Sequence, residues 1–324
     1  MNVCFYLPEA HLPSAEKLGH WEEDGQFALE EGGKSAAAQA WIYRTWITLS
    51  KSGLRADLVH EIPTNGCVIA LSGTVPLTFR LPEKVFFADV VADGMPHPSA
   101  HFHIVQNAAH ARRLPWSIFM PHWTQPGLVP RDPQRGSTFE RVAFFGNREN
   151  LAAELQRPSW CQELKRRTGA FFEIRSAELW RAYHDVDAIV AVRDFRGGRQ
   201  IHKPATKLYN AWMAGVPFIG GNDSAYAAEG TAGHDYLVAG DPHEVLSHLE
   251  RLKADETFRN ALVAQGTKKT PEYTHEAITA RWRKLVAKTL PALSRERANH
   301  PLWNNACRDL AMRGILAADR LFRS

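Results

Sequence analysis

Short apolar runs, each closed by Gly, Pro or Asn, recur along the chain, with helical spacing of apolar residues between several of them. In the first part these runs are Val3–Leu7, Leu58–His60, Val68–Leu71, Val85–Ala88, His103–Val105 and Ile118–Met120. Runs this short and this continuously apolar predict parallel strands buried on both faces. The first run leads through a polar, glycine-ended loop into a helix predicted over Ser35–Ser50, a mononucleotide-fold opening. Between Pro121 and Thr138 a Pro- and Gly-rich stretch breaks the pattern and reads as a connection between two lobes. The alternation then resumes: strand Arg141–Phe145 stopping at Gly146, helix near Trp160–Arg167, strand Phe171–Arg175, helix near Ala177–His184, strand Ala188–Val192. Strands alternating with helices at this spacing imply parallel sheets with right-handed crossovers. The expected division is therefore α/β throughout: residues 1–125, a linker over 126–138, a second domain over 139–290, and a helical tail over 291–324 able to pack back on the first lobe.

The segment from His202 to Gly221 carries the strongest local signal. Pro204 suits the first position of a helix and Gly215 the left-handed residue that ends it, after which Val216-Pro217-Phe218-Ile219 enters a strand. Lys203, Lys207 and Asn210 fall on one face, with Thr206 beside them, while Leu208, Ala211 and Trp212 form the apolar stripe. A helix start bearing two ammonium groups favours a pyrophosphate. The competing interpretation is a surface helix with two solvated lysines. Ligands of such sheets gather beyond the carboxyl ends of the strands, which selects Gly146, Asn147 and Arg148, then Arg175 and Ser176, Arg193, and Gly220 with Gly221, as one rim.

On this segment, and on Glu229-Gly230 and Asp235–Asp241 further along, the chain resembles GT-B glycosyltransferases of the group-1, family-4-like kind over roughly residues 140–290. The resemblance implies two Rossmann-like parallel-sheet domains facing across a cleft, the second binding a nucleotide sugar and the first an acceptor. Two glutamates eight positions apart in that family, one on the donor sugar and one on the ribose, are here His202 and Asn210, so neither position supplies a carboxylate. The resemblance further implies that Gly146, Arg148 and Lys207 face the donor diphosphate, that Gly32-Gly33-Lys34 form a loop near the phosphates, and that Glu31 lies near the cleft. His202 and Glu31 are thus the candidate catalytic residues. Such enzymes generally work without a divalent metal, since fixed cations and a helix dipole stabilise the leaving group.

Composition fits this picture. The chain has 324 residues, of which 44% are hydrophobic and 23% charged, enough for two domains. Cys4, Cys67, Cys161 and Cys307 show no paired spacing, so neither a disulfide framework nor a zinc site is expected, and a reducing cytoplasm is the simplest setting. No apolar run approaches the roughly 18 residues a membrane span requires, and no nucleic-acid-binding motif stands out. Charge is uneven: residues 281–324 hold ten Lys or Arg against three acids. A helix over about Asn304–Leu321 mixes Leu310, Ile315, Leu316 and Leu321 with arginines, a pattern that fits peripheral contact with anionic lipid or packing on a neighbouring lobe.

Other features carry less. Asp185-Val186-Asp187 mimics a metal-binding triplet, but Asp187 stands at a routine turn position before a strand, so no metal or other cofactor is expected. His101, His103, His110 and His122 are alternative bases for an acceptor hydroxyl, against the commoner structural role of a lone histidine. Met120–Gly127 concentrates aromatic and polar residues that suit either sugar stacking or bracing a hinge. The function expected is transfer of a sugar from a nucleotide diphosphate to a hydroxyl of a glycan or lipid-linked acceptor in polysaccharide biosynthesis. The alternatives are a GT-B nucleotide-sugar epimerase and a non-catalytic nucleotide-sugar or glycan-binding module.

Overall fold

The computed structural model describes residues 2–14, 33–197 and 200–299, together with residue 314. The expected Glu31, Gly32 and the 304–321 helix lie outside them. Gly33 and Lys34 are described only as the first turn of a helix.

The chain forms two units, Met1–His122 with His275–Ser324, and Trp123–Thr274. The first is built on six parallel strands, β1 (Val3–Tyr6), β2 (Asp57–Val59), β3 (Asn65–Leu71), β4 (Lys84–Val90), β5 (Phe102–Val105) and β6 (Ser117–Phe119), in the order β2-β1-β3-β4-β5-β6. Every expected apolar run of this half is a strand. The interior strands are largely apolar because helices and loops cover both faces; Cys67–Ala70 are fully buried. The expected first helix spans Gly33–Ala38 and Arg44–Lys51, joined by a π-helical stretch over Gln39–Tyr43 that buries Trp41 and Ile42.

The second unit holds β7 (Arg141–Phe145), β8 (Phe171–Arg175), β9 (Ala188–Ala191), β10 (Phe218–Gly220) and β11 (Leu237–Val238), all parallel, in the order β11-β10-β9-β7-β8. Its core runs from Val142 and Phe144 to Leu249 and Tyr273.

Three expectations differ from the structure. The second unit ends at Thr274, short of the expected 290, because the helix His275–Lys284 belongs to the first unit. Its Trp282, fully buried, lies 6.4 Å ring to ring from both Phe5 and Trp41. The expected linker over 126–138 is part of the second unit. Val129 bridges to Ala182, Arg131 N–H reaches the Ala214 carbonyl at 2.9 Å, and Arg131 and Arg135 both donate to Asp187. Proline and glycine hid these ties, since they are made by backbone and arginines and not by an apolar stripe. Finally, the expected helix near Ala177–His184 is one 3-10 turn, Ala177–Leu179. The bridge from Val129 holds Ala182 and Tyr183 extended, and the Tyr183 ring stacks on Phe145 at 4.0 Å.

Candidate functional site

In the second sheet the chain passes from β7 outward to β8 and then returns to the other side of β7 as β9. Such a reversal opens a crevice beyond the carboxyl ends of the two strands. Gly146 follows β7 there, and Val192 and Arg193 follow β9. The helix delivered to this crevice is Thr206–Ala214, closed by Gly215 in the left-handed conformation (φ 67°), as the sequence predicts. It begins later than expected: Ala205 is the cap and Pro204 stands one residue before it.

Lys207, in the first turn, lies against the end of β7. Gly146 has φ 143°, and a β-carbon there would stand 3.1 Å from Lys207 Cε and 3.3 Å from Nζ. The ammonium also sits 5.3 Å from the centre of the Phe144 ring. Glycine is therefore required at 146 twice over, by backbone conformation and by the lysine stem that occupies the space of a side chain. Beside it the buried Oγ1 of Thr206 has no hydrogen-bond partner, and the helix start adds its positive dipole end. Across the crevice mouth Arg193 Nε donates to Asp223 Oδ2 at 2.8 Å, and Asp223 caps the next helix by accepting the Ala225 N–H. Burial pushes the Asp223 carboxyl above its ordinary range, against the opposing charges of Arg193 and Lys207.

The other expected rim residues divide. Asn147 and Arg148 are exposed just past Gly146, with Arg148 Nη1 3.3 Å from Gln156 Oε1. Lys203 is half-buried before the helix and His202 is buried there at 9% exposure. Gly220 and Gly221 are packed tightly: a β-carbon on Gly220 would come within 2.7 Å of the Tyr226 ring, and one on Gly221 within 3.0 Å of Val192 Cγ1.

Two placements correct the sequence expectation. Asn210 does not share an outward polar face with Lys207. It is 5% exposed, with Oδ1 accepting the Gln125 N–H at 3.1 Å and its side chain bonded to the Tyr183 hydroxyl. Arg175 is likewise turned inward, 4% exposed, donating to the Ala182 carbonyl and pairing with Asp185 at 2.7 Å and Glu173 at 2.5 Å. Both point into the unit because each satisfies groups that the extended 181–183 segment and the 123–125 segment leave open.

The Asp185 and Asp187 carboxylates are held by arginines. Asp187, 1% exposed, accepts from Arg131, Arg135 and the N–H groups of Glu140 and Arg141. Burial alone would raise its pKa, but the Arg135 bond and the backbone donors outweigh burial and hold it below the ordinary value. Among the described residues no cluster of His, Cys, Asp or Glu could hold a metal ion.

In the first unit, three of the four histidines considered as bases are interior. His101 accepts the Phe87 N–H at 2.9 Å, His103 is fully buried 3.4 Å from Asp89, and His110 is 3% exposed. His122, half-buried, lies edge-on to Trp41. In the run Met120–Gly127, Met120, Trp123 and Thr124 are buried.

No protein-family model matches the chain, and no curated protein matches its sequence. Solved structures do match. A sucrose-phosphate synthase from Thermosynechococcus elongatus shares 11% identity at a TM-score of 0.56, covering 90% of this chain and 100% of the other. HepE from Anabaena in complex with UDP-glucose shares 9% identity at 0.51, covering 90% and 100%. TarM shares 8% identity at 0.52, and the match spans 69% of this chain and 56% of TarM. At these identities the likeness shows the fold alone, two parallel α/β sheets of the GT-B class.

Proposed function

We propose that the protein transfers a sugar from a nucleoside diphosphate sugar to a hydroxyl of a glycan or lipid-linked acceptor, and that it does so without a divalent metal. The observation that carries this is the Lys207 ammonium lying against Gly146 at the end of β7, beside the unpaired Thr206 hydroxyl and the start of the helix Thr206–Ala214. A cation, a donor and a helix dipole converging beyond a switch point are what a diphosphate leaving group needs as negative charge develops on it. UDP-glucose bound to HepE supports the same class of donor. Exposed Arg148 is a second cation for the diphosphate, and Arg193 frames the site through Asp223. His202 is assigned to the sugar, and Glu31 with the segment Gly32-Gly33-Lys34 to the acceptor side.

Metal independence rests on the same cations: Lys207 and Arg148 take the role a metal would have, and Asp185 and Asp187 are neutralised by arginine. No helix among the described residues is long and apolar enough to cross a membrane. The basic tail after residue 281 supplies peripheral contact with anionic lipid, as suits a lipid-linked acceptor, and the protein works in the cytoplasm.

Incubation with a panel of nucleotide sugars, with and without acceptors and in excess EDTA, tests the proposal. The transferase yields nucleoside diphosphate and glycoside only with acceptor, apart from slow hydrolysis, and is indifferent to EDTA. An epimerase would change the donor alone, and a binding module would leave it intact. Activity lost with EDTA and restored by metal would overturn metal independence.

A further inference from the structure

The helix that carries Lys207 starts without a side-chain cap. Ala205 stands at the cap position and has no side chain to bind the free N–H groups of the first turn. Ahead of it Arg193 Nη2 reaches the Pro204 carbonyl only at 3.4 Å. A first turn left in this way frays unless tertiary contacts hold it. Lys207 nevertheless stands in that turn with its stem against Gly146, so something must set the turn on the end of β7.

The hold comes from the next turn. Asn210 lies three residues beyond Lys207, about 4.5 Å along the helix axis. Its amide is oriented by its partners: Oδ1 accepts the Gln125 N–H at 3.1 Å, which leaves Nδ2 to donate to the Tyr183 hydroxyl. Tyr183 is fixed in turn. Its N–H reaches the Val129 carbonyl at 3.0 Å, and its ring stacks on Phe145 at 4.0 Å with 5° between the planes. Phe145 is the last residue of β7, beside Gly146. Asn210 thus ties the helix to the strand end against which Lys207 is placed, entirely within the second unit, and both partners of the tie are buried. Tyr209, stacked on Tyr273 at 3.9 Å, and Trp212, whose Nε1 donates to the Asp235 carbonyl at 3.0 Å, fasten the helix to later parts of the chain. Apolar packing is non-directional, whereas a hydrogen bond fixes distance and angle, so the placement of the helix on β7 falls to Asn210 and Tyr183.

We infer, resting on the reading of this crevice as a diphosphate site, that Asn210 is a positioning residue: through Tyr183 it fixes the start of the helix on the end of β7 and so holds the Lys207 ammonium where a diphosphate meets it. Asn210 itself touches no part of the ligand. Its two polar groups are committed to Gln125 and Tyr183, and turning either toward a ribose or a sugar would leave a buried N–H or hydroxyl without a partner. Affinity that depends on Asn210 therefore follows the phosphates and not the nucleoside.

The test is calorimetric titration of the whole chain with inorganic pyrophosphate, with whichever of UDP, GDP, ADP and dTDP binds most tightly, and with the matching nucleoside. Tyr183→Phe keeps the stack on Phe145 and removes only the hydroxyl, whereas Asn210→Ala removes both bonds. Each variant weakens pyrophosphate and the nucleoside diphosphate by the same factor, roughly three- to tenfold, the range that one net hydrogen bond supports. The nucleoside binds as before. In the Lys207→Met background either change costs the nucleoside diphosphate less than about twofold more, because the ammonium it positions is gone; a residue that merely maintained the fold would cost the same in both backgrounds. Equal losses with and without the lysine charge, a larger loss for the nucleoside diphosphate than for pyrophosphate, or affinities within twofold of wild type in both variants overturn the assignment. A wild-type chain that binds none of these ligands, or a Lys207→Met variant that binds them as tightly as wild type, removes the diphosphate site itself, and this assignment with it.

Discussion

Removing the Lys207 ammonium should separate phosphate recognition from recognition of the nucleoside. The stem of Lys207 lies along Gly146 and the charge sits 5.3 Å from the Phe144 ring centre, so Lys207→Met keeps the packing and deletes only the charge, whereas Lys207→Ala deletes both. An ammonium about 4 Å from a phosphate oxygen gains roughly 4 kcal/mol at an effective dielectric near 20. Desolvation leaves about 1.5–3 kcal/mol, the usual net worth of a charge-assisted bond. The affinity for nucleoside diphosphate should therefore fall roughly 10- to 150-fold, at 1.4 kcal/mol per tenfold, in both variants alike. Affinity for the bare nucleoside should be unchanged. Gly146→Ala provides the converse perturbation, because its new methyl stands 3.1 Å from Lys207 Cε and 3.2 Å from Phe144 Cζ on a backbone at φ 143°. It should displace the ammonium and weaken diphosphate binding without removing any charge. Calorimetric titration of each variant with diphosphate and with nucleoside decides the matter. Equal loss for both ligands, or a loss in Lys207→Ala that Lys207→Met fully recovers, would show that Lys207 packs and does not bind phosphate.

Two further outcomes follow from the second unit. Asp187→Asn should cost about 3–5 kcal/mol, because it leaves Arg131 and Arg135 without their buried counter-ion. Since the folded pKa of Asp187 is depressed, its contribution is complete above the ordinary carboxylate value near 4 and is lost as pH falls below it. Acid unfolding followed by circular dichroism should thus shift less steeply with pH below 4 in the variant, and an unchanged profile would refute the linkage. His202→Ala should depress kcat while the fold stays intact. Asn210→Ala should lower the melting temperature, by roughly 1–3 kcal/mol of lost buried hydrogen bonding at Gln125 and Tyr183. Melting temperatures and kinetics measured on both variants check the pair, and an Asn210→Ala protein as stable as wild type would contradict the inward placement.

How much of this was legible in the sequence depended on where each residue's partners lie. The parallel strands were readable because burial on both faces makes them continuous apolar runs, as at Cys67–Leu71 and Ala188–Ala191. The helix Thr206–Ala214 was readable from Gly215, a purely local requirement. Gly146 and Arg193 were singled out by the rule that ligands collect at strand ends, and Lys207 by its place at the start of a helix. Asn210 and Arg175 were misjudged because a polar side chain on an exposed-looking face gives no sign of a partner 85 positions away, such as Gln125, or of a carbonyl freed by a bridge at Val129. The return of the chain to the first unit at His275 rests on Trp282 meeting Phe5 and Trp41, a contact over more than two hundred residues that no local period announces.

The central claim, that the crevice beyond β7 and β9 binds the diphosphate of a nucleotide sugar, is tested most directly by thermal unfolding of the whole chain against nucleoside diphosphates and the matching nucleosides. A ligand at 100 times its Kd stabilises the native state by about 2.7 kcal/mol, a shift of several degrees for a chain of this size. At least one nucleoside diphosphate should raise the melting temperature by that much in the wild type, clearly less in Lys207→Met, and its nucleoside should raise it far less in either. A wild-type melting temperature that no nucleoside diphosphate or nucleotide sugar moves would contradict the account.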